Sequence, residues 1–157
     1  MAERKINKIG IIGMGPVGAI LASHFKEAGS EVAVCDLDKI KMNLIRTEGV
    51  ILEGVMNKKN YFSHVFTSVE EFNSFNPDLI VISVKTTHLP SLMKEIAKLS
   101  NTSSGIVCAM NGIDVENMVS KAVGENRTFR MVLNFAGNLN APNNTKVTFF
   151  NPPNYIA

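Results

Sequence analysis

The chain has 157 residues, which suits one globular domain with a sizeable hydrophobic core. Hydrophobic residues make up 45% and charged residues 19%, which excludes a disordered chain, and the net charge of +2 is too small to indicate a nucleic-acid-binding surface. Because no apolar run reaches the roughly 18 residues that a membrane span needs, we expect a single domain over residues 1–157 with neither a membrane nor nucleic acid as partner.

The first predicted element is a buried strand over residues 8–12, and a G-x-G-x-x-G pattern follows it at once. The first glycine, Gly13, allows a tight turn off the strand, Gly15 lets a pyrophosphate approach the backbone, and Gly18 lets the following helix pack close to the strand. A proline fits the first helical turn, where a missing N–H costs little. The predicted cofactor-binding residues of this loop are Gly13, Met14, Gly15, Pro16, Val17 and Gly18.

The next two elements strengthen the dinucleotide interpretation. An amphipathic helix is predicted over 16–28, and a β-rich run over 31–35 ends at Asp36. This acid lies near the spacing of about 20 residues that is typical of a ribose-binding carboxylate, which would bind NAD and repel the 2′-phosphate of NADP. Lys39 and Lys41 could offset that repulsion, but we interpret them as solvated helix residues. The predicted cofactor is NAD, with NADP as the alternative.

Two other interpretations of the N-terminal stretch remain open. The glycines could form a turn in a different α/β fold. A signal peptide is also conceivable, since Arg4, Lys5 and Lys8 precede apolar residues up to Ala22. Three glycines and a proline within that apolar stretch argue against the signal peptide.

The remaining chain alternates between strand and helix patterns. We predict a helix over 38–46, a hairpin of strands 50–55 and 61–66 around the turn 57–60, and a short helix that Ser68 caps with Glu71 as its partner. Further elements are a buried strand over 79–84, a helix over 88–99, a strand over 105–110, a helix over 115–123 capped by Asp114, a strand over 128–133, an Asn-rich loop over 138–144 and an edge strand over 145–150.

This alternation predicts an α/β fold, a Rossmann-like doubly wound and mostly parallel sheet with helices on both faces. Ligands of such sheets bind beyond the carboxyl ends of the strands. Lys85 and Asn111 each follow a predicted strand there, and Asn134 is a weaker third candidate. An ordinary solvated lysine and a simple Asn-Gly turn are the alternatives for the first two.

The cysteines and histidines indicate no metal site. Cys35 and Cys108 lack metal-ligand spacing and fall in predicted strands, which favours buried free thiols and is compatible with a cytoplasmic protein. His24, His64 and His88 form no cluster, so we interpret them as surface or edge residues.

Together these motifs resemble the N-terminal domain of the ketopantoate reductase (2-dehydropantoate 2-reductase) family. The resemblance covers nearly the whole chain and includes the glycine pattern, a strand ending in Val84-Lys85 and a strand ending in Asn111-Gly112. It implies an NAD(P)-dependent oxidoreductase of pantothenate biosynthesis, which reduces a small 2-keto acid by hydride transfer.

The resemblance also implies roles for single residues. The loop 13–18 would bind the pyrophosphate. Lys85 and Asn111 would line the nicotinamide and substrate end as catalytic and cofactor-binding residues, and Ala136 would make a backbone contact to the cofactor.

Two departures from the family pattern affect these expectations. The family places a basic residue after the second strand for the NADP 2′-phosphate, whereas the stretch 35–38 is acidic here and favours NAD. The family also has a helical C-terminal domain that supplies a general-acid lysine and a carboxylate, and we expect residues 1–157 to lack this domain. We therefore expect the chain alone to be inactive and to need that domain in cis or a partner chain in trans; the alternative is a stand-alone NAD-binding regulatory or assembly module.

Overall fold

A computed structural model of the chain describes residues 6–98 and 103–157. The strands are β1 Lys8–Ile12, β2 Glu31–Cys35, β3 Val50–Gly54, β4 Lys58–Asn60, β5 His64–Phe66, β6 Leu79–Ile82, β7 Gly105–Cys108, β8 Thr128–Val132, β9 Phe135–Ala141, β10 Asn144–Phe150 and β11 Tyr155–Ile156. The helices are α1 Pro16–Glu27, α2 Lys39–Glu48, α3 Val69–Asn73, α4 Leu89–Lys98 and α5 Val115–Val123, and short 3-10 turns cover Thr86–His88 and Glu125–Arg127.

The main sheet has seven strands in the order β11-β8-β7-β6-β1-β2-β5. All neighbouring strands in it run parallel except β11, which pairs antiparallel with β8. From β1 the chain first winds outward through β2 and then returns to the other side of β1 at β6. The carboxyl ends of β1 and β6 therefore flank the topological switch point, where ligands of doubly wound sheets bind. The predicted fold class is confirmed.

Both faces of the main sheet are covered, which explains why its central strands are almost wholly apolar. On β1, Ile9 and Ile11 face one hydrophobic cluster together with α1 and α2, while Ile12 faces the other cluster together with α3, α4 and α5. Gly10 leaves room for the ring of Phe72, which a Cβ would overlap. The period of two along each strand thus divides the core between two layers.

A second sheet, which the sequence did not predict, lies against α1. Its strand order is β4-β3-β10-β9, and α1 contacts all four of its strands as well as β1 and β2 of the main sheet. The Asn-rich loop expected over 138–144 is wrong, because most of it belongs to β9, which forms a hairpin with β10. β10 is not an edge strand either, since it lies between β9 and β3.

The predicted hairpin of strands 50–55 and 61–66 is also wrong. The antiparallel partner of β3 is β4, which consists of residues that were expected to form the turn, while β5 joins the main sheet beside β2. Glu27 at the end of α1 explains this, because its carboxylate accepts hydrogen bonds from the side chains of Lys58 and Asn60 and holds β4 in place.

Of the two predicted N-terminal helix caps, the one at Ser68 is confirmed and the one at Asp114 is wrong. Ser68 caps α3 by accepting a hydrogen bond from the backbone N–H of Glu71 at 3.2 Å, as expected. Asp114 precedes α5 but makes no side-chain cap; its φ is +59°, and its carboxylate accepts instead from the amide of Asn117.

The N-terminal stretch forms a central strand and a core helix, which is incompatible with a cleaved signal peptide. Arg4 and Lys5, on which that alternative relied, lie outside the described residues, as does Leu99, the last residue of the helix predicted over 88–99. Across residues 6–98 and 103–157, every helix is too short or too polar to span a lipid bilayer.

Candidate functional site

A cleft of about 830 Å³ opens at the carboxyl ends of β1, β2, β6 and β7. It brings together three segments that are distant in the sequence: the fingerprint loop (residues 13–18), the segment after β6 and the segment after β7. The residues that line it include Gly13, Gly15, Pro16, Val17, Asp36, Leu37, Asp38, Lys41, Ser83, Val84, Lys85, Thr86, His88, Ser91, Met110, Asn111 and Leu139. Met14 and Gly18 do not belong to this lining, because both are buried behind it.

The three glycines of the fingerprint loop have three different surroundings. Gly13 has φ +98°, and a Cβ there would lie 2.8 Å from the backbone nitrogen of Val84. At Gly18 a Cβ would overlap the carbonyl oxygen of Gly13, so this glycine permits the close approach of α1 to the loop. At Gly15, by contrast, a Cβ would meet nothing within 4 Å. The space beside Gly15 is open to the cleft and adjoins the N-terminus of α1, a position where helices generally favour anions.

The side chain of Ser83 holds the start of the fingerprint loop in place. Its hydroxyl is buried and donates to the carbonyl oxygens of Gly13 at 2.8 Å and Ile12 at 3.3 Å. The backbone N–H of Gly13 donates to the carbonyl of Cys35 at 2.8 Å. Neighbouring strands on both sides therefore hold the first residue of the loop.

The Asp36 carboxylate accepts three hydrogen bonds within the protein. Its Oδ2 accepts from the backbone N–H of Met14 at 2.8 Å and from Lys41 Nζ at 3.1 Å, and its Oδ1 accepts from the backbone N–H of Asp38 at 3.0 Å. The side chains of Lys41 and Asp36 are only 12% and 17% exposed. The interpretation of Lys41 as a solvated residue is wrong, whereas Lys39 is exposed as expected.

At the other end of the cleft, Lys85 and Asn111 are exposed side chains. Within the described part of the chain, neither side chain has a hydrogen-bond or ion-pair partner. Thr86 links the two segments, because its hydroxyl donates to the backbone carbonyl of Asn111. The turn after Asn111 needs a glycine, since Gly112 has φ +149° and a Cβ there would lie 2.7 Å from the side chain of Val115 and 3.0 Å from that of Thr86.

Two weaker candidates lie elsewhere. Asn134 is not in the cleft lining; its side-chain amide donates to the carbonyl of Pro153 at 2.6 Å. Ala136 on β9 is not in the lining either, and its carbonyl accepts from the hydroxyl of Thr148. Leu139 on the same strand does line the cleft.

Sequence reasoning missed the roles of Lys41, Ser83, Leu139 and His88 in forming this cleft. Ser83 carried a signal that could have been used, since a lone hydroxyl at the end of an apolar strand needs a partner when buried. Leu139 gave no such signal, because it reaches the cleft only through the second sheet.

The two cysteines are buried free thiols, as predicted. Burial raises the pKa of Cys35 to about 12, and the neighbouring Asp36 adds to this effect. Burial likewise raises the pKa of Cys108 to about 11.

The fold and the cleft define a Rossmann-like α/β domain with a glycine fingerprint loop at its switch point. Residues 9–156 match the family model described as ketopantoate reductase PanE/ApbA. The chain therefore belongs to the ketopantoate reductase family.

Individual relatives agree with this assignment. The chain is 26% identical over 143 residues to a 2-dehydropantoate 2-reductase of Aquifex aeolicus, a match that covers 91% of this chain and 44% of the relative. The chain thus spans less than half the length of that relative. Two solved structures share the fold: a 2-dehydropantoate 2-reductase from Geobacter metallireducens (TM-score 0.79, 19% identity, 95% of this chain and 48% of that one) and a D-mandelate dehydrogenase with NADH and anilino(oxo)acetate (TM-score 0.77, 21% identity, 95% and 47%).

Proposed function

We propose that this chain is the dinucleotide-binding part of an oxidoreductase that transfers a hydride from NAD(P)H to the carbonyl of a 2-keto acid. The observation that supports this most directly is the convergence of the fingerprint loop, Lys85 and Asn111 on one cleft. The names of the relatives agree with it, since they include 2-dehydropantoate 2-reductases and a dehydrogenase with NADH and a keto-acid-like ligand.

The fingerprint loop would hold the pyrophosphate. The space beside Gly15 admits phosphate oxygens, and the first backbone N–H groups of α1 have no partner within the helix. Pro16 removes one donor from this set, which leaves Val17 and Gly18 as the donors of the first turn. The positive end of the helix dipole adds a favourable interaction with the phosphates.

Lys85 and Asn111 would orient the reacting groups. The ammonium of Lys85 suits the carboxylate of a 2-keto acid, and the amide of Asn111 can both donate to and accept from a carboxamide or a hydroxyl. The cofactor supplies the hydride, while these side chains align the carbonyl with it.

The helical domain that the family resemblance implies would supply the proton donor and close the cleft, in cis or from a partner chain. General acid catalysis contributes about 10²–10⁴-fold to rate, and positioning contributes further. We therefore expect the purified chain to bind cofactor but to turn over 2-dehydropantoate very slowly or not at all.

The test combines calorimetric titration with NADH, NADPH and 2-dehydropantoate, each added separately, and steady-state NAD(P)H oxidation. Binding of a dinucleotide with negligible oxidation is the expected result. Failure to bind either dinucleotide would refute the proposal, and robust turnover that survives Lys85→Ala would refute the roles proposed for the helical domain and for Lys85. A chain that binds dinucleotide but never a keto acid, even with cofactor present, would favour the regulatory or assembly module.

We also propose that Asp36 gives the cleft a preference for NADH. A carboxylate facing a 2′-phosphate in a partly desolvated site is a like-charge contact, which is unfavourable by a few kcal/mol at most. Asp36→Ala should narrow the preference and Asp36→Arg should invert it, measured as the ratio of the two dissociation constants. Tighter binding of NADPH than of NADH by the unaltered chain would contradict this assignment.

A further inference from the structure

Lys41 lies in the wall of the cleft and forms an ion pair with Asp36, the acid at the predicted ribose position. Its Nζ is 3.1 Å from Asp36 Oδ2, and only 12% of its side chain is exposed. Asp38 caps α2 by accepting from the backbone N–H of Lys41 at 3.0 Å, which fixes the start of the helix and the place where the lysine leaves it. The ion pair therefore belongs to the ordered turn between β2 and α2.

The hydrogen bonds to Asp36 limit what this carboxylate can offer a ligand. A carboxylate has about four acceptor positions, two on each oxygen. Met14 and Lys41 use both positions of Oδ2, and Asp38 uses one position of Oδ1. One acceptor position remains, so the paired carboxylate can take one ribose hydroxyl, and it repels a phosphate less than an unpaired carboxylate would.

We propose that Lys41 is a specificity-determining residue: by pairing with Asp36 it weakens the preference for NADH that Asp36 gives the cleft, so that the 2′-phosphate of NADPH is disfavoured less. This inference rests on the proposed function, because it needs a dinucleotide in the cleft. Lys41 acts here as a positioning residue through Asp36. Without it, the carboxylate would keep its full charge and an open acceptor position, which disfavours a phosphate and favours a hydroxyl.

Lys39 provides a matched control on the same helix. It carries the same charge two residues earlier, it is exposed, and within residues 6–98 and 103–157 its side chain has no hydrogen-bond or ion-pair partner. Residues two apart on a helix do not share a face. The comparison of the two lysines thus separates the effect of the ion pair from that of total charge.

The experiment measures dissociation constants for NADH and NADPH by calorimetry with the unaltered chain, Lys41→Met and Lys39→Met. We expect Lys41→Met to raise the NADPH-to-NADH ratio of dissociation constants about tenfold, while NADH affinity stays within about threefold, and we expect Lys39→Met to leave the ratio unchanged. An equal loss of both affinities in Lys41→Met would indicate a purely structural role and overturn the inference. Lys41→Gln, which keeps a donor but removes the charge, gives the same test if Lys41→Met does not fold, and Lys41→Arg should restore the original ratio.

Lys41→Met in an Asp36→Asn background tests whether Lys41 changes cofactor preference through Asp36. If Lys41 acts through Asp36, Lys41→Met should change the ratio there by less than about threefold. A tenfold change in that background would mean direct contact with the phosphate and would overturn the positioning role. If the unaltered chain binds neither dinucleotide, the proposed function is refuted. If it binds them and Lys41→Met and Lys39→Met have the same NADPH-to-NADH ratio of dissociation constants, only the inference about Lys41 is refuted.

Discussion

The two ends of the cleft differ in how their functional groups are held. At the fingerprint end, hydrogen bonds join the three segments that contain Gly13, Ser83 and Asp36. The atoms there that would contact a ligand are largely backbone atoms. At the other end, Lys85 and Asn111 present exposed side chains without partners among the described residues. The first end is preorganised by the sheet, since its geometry exists before any ligand arrives. The second end has the chemical groups but not the surroundings that would fix them.

This difference matches what each end is proposed to do. Binding a pyrophosphate needs fixed N–H groups and empty space, which a strand, a turn and a helix can provide locally. Aligning a carbonyl for hydride transfer needs side chains held to within a fraction of an ångström in a site that excludes water. Exposed side chains at a sheet edge do not meet that requirement until another surface covers them.

Substitutions at Gly15 and Gly18 should break the fingerprint end in two different ways, and we expect the largest effects here. Gly15→Val places its side chain in open space, so the chain should stay folded while NADH affinity falls by about 100-fold or more, since the side chain fills the pyrophosphate position. Gly18→Ala forces a clash with the Gly13 carbonyl and should lower the free energy of unfolding by about 1–3 kcal/mol. Urea denaturation and calorimetry separate the two results. Unchanged NADH affinity in a folded Gly15→Val variant would show that the loop does not bind the cofactor.

Lys85→Ala should weaken keto-acid binding at the end of the cleft that contains Lys85 and Asn111, and it should leave cofactor binding at the fingerprint end almost unchanged. We expect NADH affinity to change by less than about threefold, because the fingerprint loop is held without Lys85, whereas binding of 2-dehydropantoate to the NADH complex should weaken about tenfold through loss of the cation. Calorimetric titration of the keto acid into the NADH-saturated chain provides the measurement. Lys94→Ala, at an exposed position of α4 outside the cleft lining, is the control and should leave both affinities unchanged.

Ser83→Ala tests whether the fixed loop matters for binding. Loss of its hydrogen bond to Gly13 should lower the free energy of unfolding by about 1 kcal/mol and weaken NADH binding about fivefold, because the loop then samples other positions. Ser120→Ala is the matched control, since the Ser120 hydroxyl donates to the carbonyl of Asn117 on α5, away from the cleft. Equal effects of the two substitutions on NADH affinity would mean that Ser83 has no special role in the site.

The same contrast explains which features the sequence could predict. The strand, turn and helix around residues 13–18 follow from local rules: an apolar run, a glycine with positive φ and a proline in the first helical turn. β9 was missed because edge strands tolerate polar residues, and its place depends on distant contacts, including that of Gly137, where a Cβ would lie 3.5 Å from the side chain of Ile20. The Lys41–Asp36 pair was missed because it depends on how the turn between β2 and α2 is folded, which no periodicity reveals.

The two thiols report on opposite ends of the cleft. Cys35 ends β2 beside Asp36, and Cys108 ends β7 near Asn111; each is buried and has a pKa raised from the ordinary 9.0, to about 12 and about 11. The folded state therefore resists deprotonation where the unfolded state does not. The sign follows from this: stability should be unaffected by the thiols below about pH 9 and should fall as the pH rises from 9 toward 12. In urea titrations at pH 8 and 10, Cys35→Ala should show a smaller loss of stability than the unaltered chain.

The rate of thiol alkylation then compares local opening at the two ends, because the thiolate is the reactive form. At pH 8.5 both cysteines should react far more slowly than in the unfolded chain, because burial raises the pKa of both thiols and keeps the reagent away from them. Saturating NADH should slow Cys35 alkylation about threefold and change Cys108 less, since the ligand contacts are concentrated at the preorganised end. Mass spectrometry of the alkylated peptides gives both rates from one sample. Equal slowing of alkylation at the two thiols would show that NADH binding stabilises the sheet as a whole. The two ends of the cleft would then differ in structure but not in their local opening.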